Sequence, residues 1–356
     1  MTIASLDNFG HASGSISMSD LRDYYGRSGS VSLSGSLSGS SSSVPPALPS
    51  SGSTISISNF RNKKRILKKK GITETVDSVY INGIGSTWTP AQSGCVQYNV
   101  YVVGGGGSGG GHSTNSGREK VATGGASGGT SFRRYSVQDH SITSASISIG
   151  AGGAGISYPG EIGYVISGRN GGTTTFNPNG SGATISASGG SRGFGGRQGL
   201  VDEAVTSTSP VGSASTSTSH SGWGQCASSS AGSGSGGENN YTGGRSVGIN
   251  VGSDDEFARG GGSPNLGSGG KNGKLGDGAN SAQTDAPTKP SEWGSDVSAT
   301  FRGGFAACDN NGAAGASGNG ASYGAGSGGS AGESGAGSTG NGSSGAIFVT
   351  YYEINT

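Results

Sequence analysis

Apolar residues recur at two-residue spacing in short bursts along this chain, and nowhere at the spacing of an amphipathic helix. One early burst occurs twice. Ile16-Ser17-Met18-Ser19-Asp20-Leu21-Arg22 is echoed by Ile55-Ser56-Ile57-Ser58-Asn59-Phe60-Arg61, each a short alternating strand followed by a residue suited to a turn. Between the copies, Val31 to Leu37 alternates with serine and leads into a Ser run and Pro45-Pro46, which predicts a linker with short sticky strands. From residue 76 the bursts strengthen. Strands are expected at Val76–Ile81, Cys95–Val103, Thr130–Val137, Ala145–Ile149, Gly163–Ile166, Thr173–Phe176, Ala183–Ala187 and Ala346–Tyr352. Separated by Gly, Ser and Asn, they predict an all-β fold: a small Gly-rich antiparallel β-sandwich.

Residues 201–345 interrupt this pattern with Gly, Ser, Ala, Asn and Thr around isolated aromatics, after which strand 346–352 closes the chain. That return predicts an insert pinned at both ends and held outside the sandwich. The expected organisation is an extended attachment arm at 1–70, a sandwich at 72–200, an exposed insert at 201–345, and a completing strand within 346–356. Ordering one residue's backbone costs about 1–2 kcal/mol, and 303–345 has few large side chains to offset that cost. Two readings stand for it: a flexible Gly/Ser linker, or a bundle of polyproline II glycine helices joined by backbone hydrogen bonds. The three-residue spacing of Gly312, Gly315 and Gly318, and of Gly329, Gly332 and Gly335, suits the bundle.

Composition sharpens the picture. Of 356 residues 77 are Gly, while the formal net charge is only +1, so charge repulsion does not hold the chain open. The apolar residues suffice for one modest core. No apolar run is long enough for a membrane span, and the first residues carry no secretory pattern, so a chain made in the cytoplasm without membrane insertion is expected. Cys95, Cys226 and Cys308 are too far apart for a disulfide framework or zinc motif. The basic run 61–70, RNKKRILKKK, is a candidate anion-binding patch or a solvated joint. It lacks the aromatic companions of a nucleic-acid site, so no nucleic-acid partner is expected.

Catalytic signatures are missing. The glycines after the strand ending at Val103 lack the Lys-Ser/Thr of a phosphate loop, as does Gly269-Gly270-Lys271-Asn272-Gly273-Lys274. His11, His112, His140 and His220 are scattered, and Asp254-Asp255-Glu256 lacks the alternation of a calcium loop. No enzyme activity, metal or cofactor is expected. Aromatics among Ser, Gly and Asn have the composition of adaptable binding loops. Trp223, Tyr241, Phe257, Trp293 and Tyr323 are therefore candidate receptor-binding residues, with gap-filling in the glycine packing as the other reading.

The ISMSDLR and ISISNFR phrases resemble short motifs of tailed-bacteriophage virion proteins. The passage from Trp88-Thr89-Pro90 through VQYNVYVVGGGGSGGG, SISIGAGG, GGTTTF and ATISASGG to SGAIFVTYYE resembles the glycine-rich domain of phage tail-fibre and tail-tip proteins. The resemblance spans roughly residues 85–352. It implies a virion tail protein whose N-terminus docks on other tail or baseplate proteins, here through Ile16, Met18, Leu21, Arg22, Ile55, Ile57, Phe60 and Arg61. It also implies an adhesin role, host attachment through binding of a cell-surface glycan or outer-membrane protein, and a homotrimer. The chain is similar as well to distal adhesins with packed polyglycine helices, but carries more Ser, Ala and Thr and shorter glycine runs. A different class also fits, an architectural head-decoration, collar or baseplate subunit without receptor binding.

Overall fold

The computed structural model describes residues 67–75, 86–89, 95, 97–113, 120–136, 142–158, 164–180, 182–197, 200–201, 225–226, 228–246, 249–250, 256–267, 269–272, 275–276, 287–313, 317, 319–334 and 337–354. Among them the fold is all-β. Among the described residues there is no α-helix, and the one 3-10 turn is Ser291–Trp293.

Two antiparallel sheets face each other. The first runs, edge to edge, Leu67–Thr75, Ala346–Ile354, Gln97–Val103, Thr130–Ser136 and Asn239–Tyr241. The second runs Gly234–Ser235, Ile185–Ala187, Thr174–Pro178, Ala145–Ser148 and Ser86–Trp88. Their inner faces share one core: Tyr98, Val100, Val102, Tyr135, Ile347, Val349 and Tyr351 from the first meet Trp88, Ala145, Ile147, Phe176, Ile185 and Ala187 from the second. Trp88 meets Phe176 edge-on at 5.4 Å and Tyr98 at 5.8 Å.

The strand Gln97–Val103 is buried at every position. Its near-continuous apolar run follows from burial on both faces. Even-numbered residues face the shared core, while Tyr101 and Val103 join a second cluster with Leu266, Trp293, Val297, Phe301, Ala346 and Phe348. Residues 287–301 thus form a strap across the outside of the first sheet. The C-terminal strand pairs along the whole of Gln97–Val103, from Ala346↔Val103 to Tyr352↔Gln97, as its hydrophobicity predicts.

Several boundaries differ from those expected. The attachment arm's last residues belong to the body: Leu67–Thr75 pairs with the C-terminal strand from Leu67↔Ile354 to Thr75↔Ile347. The last four residues of the basic run are therefore a sheet edge, where lysines and a bulge at Lys69/Gly71 discourage further pairing. Segment 201–345 is not an excursion outside the sandwich. It supplies Gly234–Ser235 and Asn239–Tyr241 to the two sheets and the strap to the outer face. Val76–Ile81 lies outside the described residues.

Beyond the sandwich the chain is built from backbone. Segments 104–110, 123–129, 150–155, 168–172, 188–194, 228–233, 243–246, 260–263, 303–306, 324–329 and 339–345 are extended and bonded to one another. The bonds have a three-residue period. Gly104, Gly107 and Gly110 donate to Gly129, Ala126 and Thr123 at 2.8–3.0 Å, whereas Gly105 and Ser108 donate to Gly172 and Arg169. Successive residues of 104–110 therefore turn to different neighbours, which is the three-fold geometry of a polyproline II helix rather than a sheet. Around 104–110 lie 123–129, 324–329, 339–345, 150–155, 168–172 and 188–194, each bonded to it. The hydrogen bonds among these segments have the three-residue period that the bundle reading expects. The bundle's helices are drawn from the whole chain, not from 303–345 alone: Gly329 belongs to it, Gly312 and Gly332 lie in strands, and Gly315, Gly318 and Gly335 lie outside the described residues.

Candidate functional site

The bundle connects two ends of different character. At the sandwich end, segment 104–110 continues the strand Gln97–Val103, and 123–129 leads into Thr130–Ser136. Reversals here are tight, as at Ser322 and Gly324, whose φ values are 52° and 73°. At the other end the helices run into short strands that pair in small sheets. Gly111–Ser113 lies between Ser330–Ser334 and Tyr164–Ile166. Lys120–Ala122 lies between Gly195–Arg197 and Glu256–Arg259. Ser157–Tyr158 pairs with Gly337–Ser338, and Gln225–Cys226 with Ile249–Asn250. Residues 114–119, 159–163, 202–224 and 251–255 connect strands of this distal end and lie outside the described residues. Scaffold-held connections of this kind are where binding chemistry concentrates.

What lets the helices approach is the absence of side chains. A Cβ on Gly106 would stand 2.0 Å from the Ala325 carbonyl oxygen, on Gly326 2.0 Å from that of Gly125, and on Gly342 2.1 Å from that of Gly106. Serine is tolerated because its hydroxyl replaces a carbonyl as partner. Ser327 Oγ accepts from the Gly109 N–H at 2.8 Å, Ser246 Oγ from Gly124 at 2.9 Å and Ser263 Oγ from Gly303 at 3.0 Å, all buried. Asparagine does the same on the outside: Asn170 Oδ1 accepts from the Arg192 N–H at 2.9 Å, Asn272 Oδ1 from Arg245 at 3.1 Å and Asn319 Oδ1 from Asn341 at 2.7 Å. The enrichment in Ser and Asn beside Gly is thereby explained, since each satisfies a backbone donor that an adjacent helix leaves unmet.

The candidate receptor-binding aromatics separate. Trp223 belongs to the connection 202–224 at the distal end and lies outside the described residues. Phe257 is in the distal strand Glu256–Arg259. Tyr241, half-buried, ends the edge strand of the first sheet, opposite Thr130. Trp293 is fully buried, its ring 4.4 Å from that of Phe348 and 5.1 Å from that of Tyr101. Tyr323 packs on the same cluster, 5.6 Å from Phe348. Expected as a receptor contact, Trp293 is instead a packing residue, because the outer face of the first sheet is apolar and needs a cover; Tyr323 packs beside it and stays half-exposed. The proposed docking residues Ile16, Met18, Leu21, Arg22, Ile55, Ile57, Phe60 and Arg61 lie outside the described residues.

Beneath the strap sits a polar cluster. Glu292 Oε2 accepts from Asn99 Nδ2 at 2.7 Å and from the Tyr352 hydroxyl, and Asn99 Oδ1 accepts from Gln97 Nε2 at 2.7 Å. Lys69 Nζ closes the edge, donating to Glu292 O and Asp296 Oδ2, both at 2.8 Å. Burial, reinforced by the Glu292 carboxylate, holds the Tyr101 and Tyr352 phenols well above the ordinary range. In the shared core, burial alone dominates and pushes Tyr98 to about 12 and Cys95 upward. These interactions fasten the strap. Among the described residues no group of His, Cys, Asp and Glu is placed to hold a metal ion, and no helix is long and apolar enough to cross a membrane.

Searches of protein-family models and of curated proteins returned no match to this chain.

Proposed function

We propose that this chain is a structural protein of a tailed-phage tail fibre or tail tip, attached through its N-terminal arm and binding the host cell surface through the distal connections. The observation that carries this reading is the two-ended architecture. The arm's last residues form the sandwich strand Leu67–Thr75, while the short strands that flank the connections 114–119, 159–163, 202–224 and 251–255 pair at the opposite end of a backbone-bonded bundle. Such an arrangement would keep an attachment end and a contact end apart by the length of the bundle. The resemblance of the glycine-rich passages to tail-fibre and tail-tip proteins supports the same reading, as it does a homotrimer and a virion location. The role proposed is non-enzymatic, with the Glu292 cluster serving to fasten the strap.

Removing 201–345 would not test the proposal, because strands of both sheets and several bundle helices would go with it. The test is replacement of 202–224 by a Gly-Ser stretch of equal length in the full chain, with adsorption to host cells and incorporation into particles both measured. Lost adsorption with normal incorporation is expected. Unchanged adsorption, or particles that fail to assemble, contradicts a receptor-binding role, and failed assembly favours an architectural subunit.

A further inference from the structure

One face of the bundle carries, among its described residues, cations without carboxylates. Around its perimeter the segments 168–172, 188–194, 228–233, 243–246 and 269–272 follow one another. Gly168 and Gly171 N–H donate to Gly193 and Gly190 carbonyls, Ser191 to Ser230, and Gly243 to Gly232. A Cβ on Gly244 would lie 1.8 Å from the Lys271 carbonyl oxygen, which places the last pair side by side. In this order they present Arg169, Arg192, Arg245 and Lys271. Arg169, Arg245 and Lys271 are exposed and Arg192 is half-buried, and none of these segments contains Asp or Glu.

Their heights along the bundle agree. Ser108 N–H donates to the Arg169 carbonyl and the Ser108 carbonyl accepts from Gly193, next to Arg192. Ser127 donates to Gly244, next to Arg245, and Ser263, bonded to Gly244, donates to Lys271. All four cations thus cross the middle of the bundle as a belt. Two parts of it repeat one construction. Arg169-Asn170 and Lys271-Asn272 are cation–asparagine pairs whose Asn oxygen accepts the N–H of an arginine on the adjoining segment, Arg192 and Arg245 respectively. The Arg192 guanidinium is further held over the Phe194 ring, 5.7 Å from its centroid.

We infer that this belt is a binding face for an anionic polysaccharide, whose carboxylate or phosphate groups meet the two cation pairs while its hydroxyls face the Ser-rich segment 228–233 between them. Guanidinium groups suit carboxylate and phosphate. A saccharide is favoured over single-stranded nucleic acid because the belt offers no open aromatic platform for stacking bases; Phe194 is covered by Arg192. The inference rests on the proposed contact with a cell surface, and adds to it a chemical class of ligand and a site on the side of the bundle, apart from its distal end.

The experiment uses the full chain with polyuronate as the probe, neutral dextran and single-stranded DNA as comparisons, and a series of salt concentrations. The variants are R169Q/R192Q and R245Q/K271Q. Arg302→Gln is the control, on a segment separated from Lys271 by 260–263. Each double variant is expected to keep its melting temperature, to weaken polyuronate binding by about tenfold at low salt, and to lower the salt slope by about one to two. R302Q should leave both unchanged, and dextran should not bind. Unaltered polyuronate binding in both double variants, an equal loss in R302Q, or tighter binding of DNA than of polyuronate overturns the inference. Adsorption of the unsubstituted chain to host cells is measured in parallel: if it adsorbs and both double variants adsorb equally well, the belt fails as the site while the tail-protein reading stands.

Discussion

At the scale of single residues, glycine here is a packing surface and serine a substitute carbonyl. Gly106 and Gly326 have backbone oxygens 2.0 Å from where a Cβ would stand, so alanine there must push a helix out of the bundle. Overpacking of an interior costs typically about 1–3 kcal/mol, and displacement of backbone partners adds lost hydrogen bonds. G106A and G326A are therefore expected to lower the melting temperature strongly, whereas alanine at Gly269, with nothing within 4 Å, should lose only what its φ of +92° imposes. Calorimetry of the three variants checks the ordering. Ser327→Ala removes the acceptor of the buried Gly109 N–H. A loss of about 1–3 kcal/mol is expected from that orphaned donor, measured by denaturant unfolding. The three-residue glycine rhythm was legible in the sequence, but which glycines it concerned was not. The bundle pairs residues as remote as Gly106 and Ser343, and only tertiary contact distinguishes a packed glycine from a turn glycine.

At the scale of elements, strands with strong patterns were readable and those made of polar residues were not. Gln97–Val103 and Ala346–Ile354 declare themselves because both of their faces are covered. Leu67–Thr75 is hidden by its lysines, which belong to a sheet edge. The strap at 287–301 escapes periodicity altogether, since a single 3-10 turn and scattered anchors carry no repeating signal. Its weight rests on Trp293. Trp293→Ala is expected to cost about 3–5 kcal/mol, as for other fully buried aromatics, and to expose the Tyr101 and Phe348 rings, measurable by equilibrium unfolding and by dye binding. Burial also makes the sandwich sensitive to alkali. Tyr98 is neutral in the core with its pKa raised from 10.0 to about 12, so its contribution to stability is full below pH 10 and is lost as pH climbs through about 12. Phenolate absorbance should lag behind that of free tyrosine until the fold gives way, and Y98F should remove part of this dependence.

At the scale of the whole molecule, a chain poor in large side chains gains a second kind of core. The sandwich is closed by aromatic and aliphatic packing at one end, and the bundle extends it by backbone hydrogen bonding toward the distal connections. Of the candidate contact residues, Trp293 is interior and Tyr323 is half-buried against the same cluster, while Trp223 lies outside the described residues. Isolated aromatics in a glycine-rich sequence look alike until the sheet face that two of them cover is known. The cations of the lateral belt were equally inconspicuous, being single residues on segments from distant parts of the chain.

The central claim is that the glycine-rich segments form an ordered core rather than spacers, and amide hydrogen exchange of the full chain tests it most directly. Amides of 104–110, 123–129 and 324–329 are predicted to exchange slowly, with protection approaching that of the strand Gln97–Val103. Exchange of those glycine amides at the rate of an unstructured chain, while the sandwich strands stay protected, would contradict it.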